Sequence, residues 1–182
     1  LLDSGIIQSN FSGKLHDPRL YALGRIRYSL DFQEYLSKQL IPIIESSIYS
    51  SRKLIICDLD QTLWSGIVGD DGIYDLNIGG NNPIGEAHLQ LQKCLKALKN
   101  RGILLAISSK NEEKVACSAI DKHPNMILRI NDFSSKRINW EDKAQNIASI
   151  LSELNLTSSS AVFIDDNPSE RERVKKAFPD II

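Results

Sequence analysis

Leu54-Ile55-Ile56-Cys57-Asp58-Leu59-Asp60-Gln61-Thr62-Leu63 is the stretch that decides the architecture. Its first four residues are apolar with no polar alternation, which predicts a strand buried on both faces, as in a parallel sheet. The run then breaks into carboxylates at Asp58 and Asp60 and a hydroxyl at Thr62. These polar groups gather at the strand's carboxyl end, the edge of an open parallel sheet where ligands bind.

Further apolar runs follow at Ile103-Leu104-Leu105-Ala106-Ile107 and Ala161-Val162-Phe163-Ile164, with a weaker one at Met126-Ile127-Leu128. Helical stripes lie between them. Leu91, Leu95 and Leu98 mark one, closed by Arg101-Gly102, and Ala144, Ile147, Leu151 and Leu154 mark another. A further helix is expected after Asn167, where Pro168 suits the first helical position and Glu170 the positive end of the helix dipole. Alternating strands and helices of this kind predict a doubly wound, Rossmann-like α/β core. Upstream, Gly5, Gly13, Pro18 and Gly24 suggest an irregular lead-in with a short helix at most. From Asp31 the pattern turns helical through Phe32, Tyr35, Leu36, Leu40, Ile43 and Ile44, with Asp31 and Glu34 spaced as a capping box and Pro42 kinking or dividing the helix. The expected organisation is a lead-in and helix over 1–50, packed on a catalytic core over 51–182, as one domain overall.

The 182 residues suit a single core. Lys and Arg number 22 against 23 Asp and Glu, so composition offers neither nucleic acid nor an anionic membrane as a partner. A hydrophobic fraction of 42% with 25% charged residues reads as an ordinary soluble domain. No apolar run approaches the ~18 residues of a membrane span, and LLDSGIIQSN lacks the pattern of a signal peptide, so a cytoplasmic setting is expected. The chain opens at Leu1 and its one methionine is Met126, which suggests a segment of a longer polypeptide. Cys57, Cys94 and Cys117 form no CxxC pair, which argues against a disulfide framework or a structural zinc site.

Ser108 and Ser109 close the second apolar run, and Asp165 and Asp166 close the last. With Asp58 and Asp60 that makes four carboxylates on one sheet edge, which repel unless a cation sits among them. Oxygen ligands with room for water and phosphate suit Mg²⁺.

Asp58-Leu59-Asp60-Gln61-Thr62 resembles the first motif, DxDxT, of the haloacid dehalogenase superfamily, and the remaining motifs follow in order. The resemblance implies an α/β core without a large cap domain, Asp58 as the nucleophile that takes up a phosphoryl group, and Asp60 as general acid and base. It implies Ser109 and Thr62 on the phosphoryl oxygens, Lys143 as the cation offsetting their charge, and Asp165 and Asp166 completing an Mg²⁺ site with Asp58 and Asp60. Phosphoryl transfer asks mainly for such neutralisation and in-line positioning.

More narrowly, the stretches Asp58 to Gly72, Ser108-Ser109-Lys110-Asn111, Asn139-Trp140 and Phe163 to Arg171 resemble the FkbH-like branch, and Tyr28 to Lys53 resembles what precedes its core. Gln61 stands where that branch commonly has Asn. The branch implies an enzyme of polyketide loading, a transferase and phosphatase that takes a three-carbon acyl phosphate such as 1,3-bisphosphoglycerate. It removes phosphate and loads a glyceryl or lactyl-type unit on the phosphopantetheine thiol of an acyl carrier protein, within a larger multidomain synthase. The Trp64 to Asn82 stretch is long enough only for a small flap, and 110–142 for one helix and a short strand, so the edge is expected to stay open. A lidless phosphatase of a protein or sugar phosphate is the alternative, and a catalytically silent docking module a third reading.

Several residues keep two readings. Cys57 either carries the acyl unit as a thioester or fills the core, since strand side chains alternate and Asp58 is its neighbour. Cys94 reads as core, and Cys117 has no connection to the carboxylates. Trp64 and Trp140 either contact substrate or pack. Lys110 and Arg171 either meet a distal phosphate or are ion-paired. The histidines read as surface or satisfied residues, and Glu170-Arg171-Glu172-Arg173 as an exposed helix face.

Overall fold

A computed structural model describes residues 4–48, 52–80 and 82–182. The chain divides into two compact units, Leu1–Ser51 and Arg52–Ile182. The boundary expected between residues 50 and 51 lies outside the described residues.

Among its described residues the N-terminal unit holds three helices, α1 Ser4–Ser9, α2 Pro18–Gly24 and α3 Leu30–Ile48, one more short helix than its glycines and proline suggest. Asp17 caps α2 by accepting from Arg19 N at 2.9 Å. The start of α3 differs from the expected capping box. Ser29, not Asp31, is the cap, because its hydroxyl accepts from Phe32 N at 3.2 Å while Glu34 pairs with Lys38 further along the helix. Pro42 sits inside α3 without dividing it. Phe11, Tyr28, Phe32 and Tyr35 form an aromatic cluster with ring centroids 5.0 to 6.3 Å apart.

The second unit is built on β1 Leu54–Cys57, followed by the one-turn α4 Val68–Asp71, α5 Pro83–Asn100, β2 Leu104–Ser109, α6 Glu113–Lys122, β3 Ser135–Ile138, α7 Lys143–Glu153, β4 Ala161–Ile164 and α8 Pro168–Ala177. All strand pairs are parallel and the order is β3-β2-β1-β4. The order reverses at β1, so the switch point that opens a ligand crevice lies between the carboxyl ends of β1 and β4. Alternation divides the core into two layers. Ile55, Cys57, Leu105 and Ile107 face α5 and α6 with Leu95, Ala116, Ala119 and Ile120. Leu54, Ile56, Ala106 and Phe163 face α7 and α8 with Ile147, Ile150, Leu151 and Val174.

Met126-Ile127-Leu128 is not a strand. After the turn at Pro124 its amides turn to a side chain: Ile127 N and Leu128 N donate to Gln92 Oε1 at 2.9 and 3.4 Å. Gln92 is fully buried, and its Nε2 donates to Leu63 O at 2.8 Å, tying the turn after β1 to this segment. The third strand is instead the polar Ser135-Lys136-Arg137-Ile138, an edge strand whose charges read poorly as sheet but suit an unpaired border. Cys94 is exposed, because the buried stripe of α5 runs through Gln92 and Leu95 and leaves position 94 on the border.

The stretch after β1 is anchored rather than loose. Trp64, Val68, Leu76 and Ile78 are buried in the core, and Ser65 and Asn77 exchange backbone hydrogen bonds of 3.2 and 2.9 Å. It rejoins α5 at a point that only glycine fits, since a Cβ on Gly85 would lie 2.1 Å from Gly79 O. Asn82 caps that helix by accepting from Gly85 N at 2.8 Å.

Beneath β3, Asp132 accepts from Lys96 and Lys99 Nζ at 2.6 to 2.7 Å and from Arg129 N at 2.9 Å. Burial alone raises a carboxyl pKa, but the two lysines and the amide outweigh it and hold Asp132 down at about 2. A carboxylate depressed on folding contributes stability that is present above its unfolded pKa near 4 and is lost as pH falls toward 2, here up to roughly 2 kcal/mol. Asp132→Asn is therefore expected to cost most at about pH 6 and progressively less toward about pH 3, read as the difference in urea midpoint from the wild type. A difference that stays constant with pH would contradict this.

Candidate active site

The crevice at the switch point collects the residues that end each strand. Asp58 follows β1 directly, and its amide continues the ladder by donating to Ile164 O at 2.9 Å. Asp165 and Asp166 follow β4, and Asn167 caps α8 by accepting from Ser169 N at 2.9 Å. Ser109 is the last residue of β2, and Lys143 the first of α7, set by the Asp142 cap that accepts from Ala144 N at 2.8 Å. Helix α7 therefore presents both its positive dipole end and a lysine to the crevice.

Lys143 Nζ lies 2.7 Å from Asp58 Oδ2 and 2.5 Å from Asp165 Oδ2, with its side chain 4% exposed. Burial acts to lower its pKa. The charge of Asp58 and the hydrogen bonds to Asp165 and Asp58 prevail, so the net shift is upward and the ammonium form is held. Asp165 Oδ1 accepts from Asn167 N at 2.8 Å, which fixes that carboxylate too. Arg171 Nη1 donates to the carbonyls of Asp165 and Asp166 at 2.6 and 2.7 Å, so it clamps the loop backbone instead of reaching toward a distal phosphate.

Asp58, Asp165 and Asp166 each offer an oxygen, all within 4.8 Å of one another. Asp58 Oδ1 is buried without a hydrogen-bond partner among the described residues. Three carboxylates against one lysine leave an excess of two negative charges, and an orphaned buried oxygen asks for a cation. The donor set is all oxygen, so a hard divalent ion such as Mg²⁺ fits it.

The fourth expected metal ligand is turned elsewhere. Asp60 Oδ1 accepts from Trp64 Nε1 at 2.8 Å and Val68 N at 3.1 Å, and Oδ2 accepts from Asn111 Nδ2 at 2.9 Å. Its carboxylate is thereby kept out of the group of three. Directly after Asp60 the backbone enters a tight turn, with Gln61 at φ 56°. Thr62 is buried with Oγ1 unpartnered among the described residues, and its carbonyl accepts from His88 Nδ1 at 2.8 Å.

Other expected participants have structural partners. Lys110 is bonded to Glu170 at 2.8 Å. Arg171, Glu172 and Arg173 form the exposed helix face expected, while Arg171 reaches the loop backbone and Arg173 pairs with Asp142 at 3.0 Å. Cys57 lies in the α5/α6 layer of the core, with no exposed surface. Burial, then the neighbouring Asp58 charge, raise its thiol to about 12, so it stays protonated and non-nucleophilic. Trp64 is wholly buried, whereas Trp140 is 75% exposed on the loop before α7. Asn111 is the site residue that sequence reading passes over. It stands within the Ser108-Ser109-Lys110-Asn111 stretch, but an amide carries no chemical signature until its partners are known.

No family model matches the chain, and no curated protein does. Among solved structures, it is similar to the N-terminal part of the protein BF1531 from Bacteroides fragilis, containing a phosphatase domain and complexed with Mg, at 38% identity and a TM-score of 0.75 over 98% of this chain. This chain spans about half of that one, 47%. It also matches 3-deoxy-D-manno-octulosonate 8-phosphate phosphatase from Moraxella catarrhalis, in complex with magnesium, phosphate and KDO, at 22% identity and a TM-score of 0.43 over 68% of this chain and 63% of that one. A further match is a HAD family enzyme from Bacteroides thetaiotaomicron, in complex with magnesium and inorganic phosphate, at 12% identity and a TM-score of 0.48 over 71% of this chain and 92% of that one. Among the described residues no helix is long and apolar enough to cross a membrane. The chain has an α/β, Rossmann-like fold of the haloacid dehalogenase type, similar to that of the Mg-complexed BF1531 segment that contains a phosphatase domain.

Proposed function

We propose that the chain is a Mg²⁺-dependent phosphatase in which Asp58 is the nucleophile. The observation that carries this reading is the environment of Asp58: one oxygen bound by Lys143, the other buried, unpartnered and beside Asp165 and Asp166. Asp58, Asp165 and Asp166 would hold the metal, which supplies neutralisation of phosphoryl charge when bound. Asp58 attacks phosphorus and the bond to the leaving oxygen breaks. Asp60 gives that oxygen a proton where it needs one, and Ser109, Thr62 and Lys143 take the phosphoryl oxygens.

Within that chemistry we assign the substrate to three-carbon acyl phosphates resembling 1,3-bisphosphoglycerate, and the acceptor to the thiol of an acyl carrier protein in a larger synthase. Two phosphoryl groups must then leave, one by hydrolysis through Asp58 and one displaced from the acyl carbon by the carrier's thiolate. The motif resemblance supports this assignment, together with an edge that carries no large cap. The similarity to part of a longer protein suits a multidomain setting. Because Cys57 is buried and protonated, transfer is assigned directly to the carrier thiol without an enzyme thioester.

The test is to incubate the protein with Mg²⁺, a three-carbon acyl phosphate and holo carrier protein, then measure released phosphate and weigh the carrier. The expected result is phosphate release with a carrier heavier by one dephosphorylated three-carbon acyl unit. Phosphate release from generic phosphate esters with an unaltered carrier assigns the plain phosphatase instead. Absence of any metal-dependent phosphate release overturns both readings and leaves a docking module.

A further inference from the structure

Asn111 has no part in the chemistry above, yet its amide touches two groups that do. Nδ2 donates to Asp60 Oδ2 at 2.9 Å and to Ser109 Oγ at 3.3 Å, and the residue is 6% exposed. From the opposite side Trp64 Nε1 and Val68 N donate to Asp60 Oδ1. The carboxylate is gripped by three N–H donors from three places: the turn after β1, the start of α4 and the loop after β2. Trp64 is enclosed in the core, so its indole has no room to swing away. If Asp60 rotated to join Asp58, Asp165 and Asp166, three charge-assisted hydrogen bonds would break and buried donors would be left unsatisfied.

The bond to Ser109 has its own consequence. A hydroxyl that accepts from Asn111 keeps its single proton free for another acceptor. At the carboxyl end of β2, under the phosphatase reading, that acceptor would be a phosphoryl oxygen in the crevice.

We propose that Asn111, acting with Trp64, is a positioning residue that holds Asp60 apart from the metal-binding carboxylates and aims it at the water that hydrolyses the phosphoryl intermediate. This inference rests on the phosphatase reading. In that step the water oxygen bonds to phosphorus and its proton passes to Asp60. The bond from phosphorus to Asp58 breaks, its electron pair returns to the Asp58 carboxylate, and inorganic phosphate departs. A released Asp60 rotates through orientations that do not face the water, so hydrolysis slows. Substrate binding uses Asp58, Lys143 and Ser109 and is retained.

The test uses the whole chain with Mg²⁺ and para-nitrophenyl phosphate under rapid mixing. Para-nitrophenolate leaves without needing a proton, so the first step does not draw on Asp60. Trp64→Phe removes the indole N–H while keeping an aromatic ring in the core, and Asn111→Ala removes the amide. Both are expected to lower kcat tenfold or more and KM in the same proportion, leaving kcat/KM within about twofold of wild type, because only the second step is slowed. A burst of nitrophenolate and an accumulated phosphoenzyme in the intact mass after acid quench are expected with them. If Trp64→Phe does not fold, Asn111→Ala decides alone. Unchanged kcat in a folded variant, against an active wild type, overturns the inference and leaves the phosphatase standing. Loss of kcat without burst or phosphoenzyme, or with a matching rise in KM, also overturns it, because that is a structural effect. A wild type inactive on every phosphate offered removes the phosphatase reading and this inference with it.

Discussion

Asp58→Asn is expected to abolish metal-dependent phosphate release, by roughly 10⁴-fold or more, since an amide cannot form the aspartyl-phosphate that splits the reaction into two steps. Geometry singles out this aspartate over Asp60. Asp58 is fixed by the β4 ladder, held at one oxygen by Lys143 and left with a buried free oxygen, whereas Asp60 has donors on both oxygens. The substitution is isosteric, and its carbonyl oxygen can still face Lys143, so the fold should survive. Added Mg²⁺ should raise the melting temperature of the variant less than that of wild type, because one of three ligands is weakened. Phosphate release and incorporation of phosphoryl into the protein are the measurements. Turnover near the wild-type rate in Asp58→Asn would overturn the assignment of the nucleophile.

Lys143→Met should produce the largest loss of stability. Among the described residues, Lys143 is the one cation within bonding distance of both Asp58 and Asp165, whose side chains are 10% and 0% exposed. Removing one partner of a buried ion cluster leaves uncompensated charge and costs about 3–5 kcal/mol. For a chain of this size that corresponds to a fall of about 10 °C or more in melting temperature. A divalent cation can take over part of the neutralisation, so Mg²⁺ should raise the melting temperature of Lys143→Met more than that of wild type. A metal-independent loss, or none, would show that Lys143 does not hold these charges together.

Both expectations rest on residues that the amino-acid order alone brings forward. The apolar run over 54–57 ending in Asp58 and Asp60, and the pairs at Ser108-Ser109 and Asp165-Asp166, place the crevice because strand runs and carboxyl-end polarity are local properties of the chain. The helix start at Pro168 is legible for a similar reason, since a capping Asn followed by Pro acts within one turn. The third strand is not legible. Its polar residues border the sheet, and the apolar Met126 and Leu128 that mimic a strand are buried by a loop whose amides go to Gln92.

What the sequence determined by itself was the parallel α/β core, the edge where its chemistry gathers, and the residue types needed to handle phosphate and a hard cation. Tertiary structure alone decided how those residues divide the work. Asp58, Asp165 and Asp166 converge, Asp60 is drawn aside by Trp64 and Asn111, Cys57 is sealed in the core, and Lys110 and Arg171 fasten the frame. The physical reason is that residue type and periodicity act over a few neighbours, whereas a side chain's hydrogen-bond partner is chosen by segments that meet only on folding. Asp60 and Asn111 are separated by 51 residues and meet at 2.9 Å.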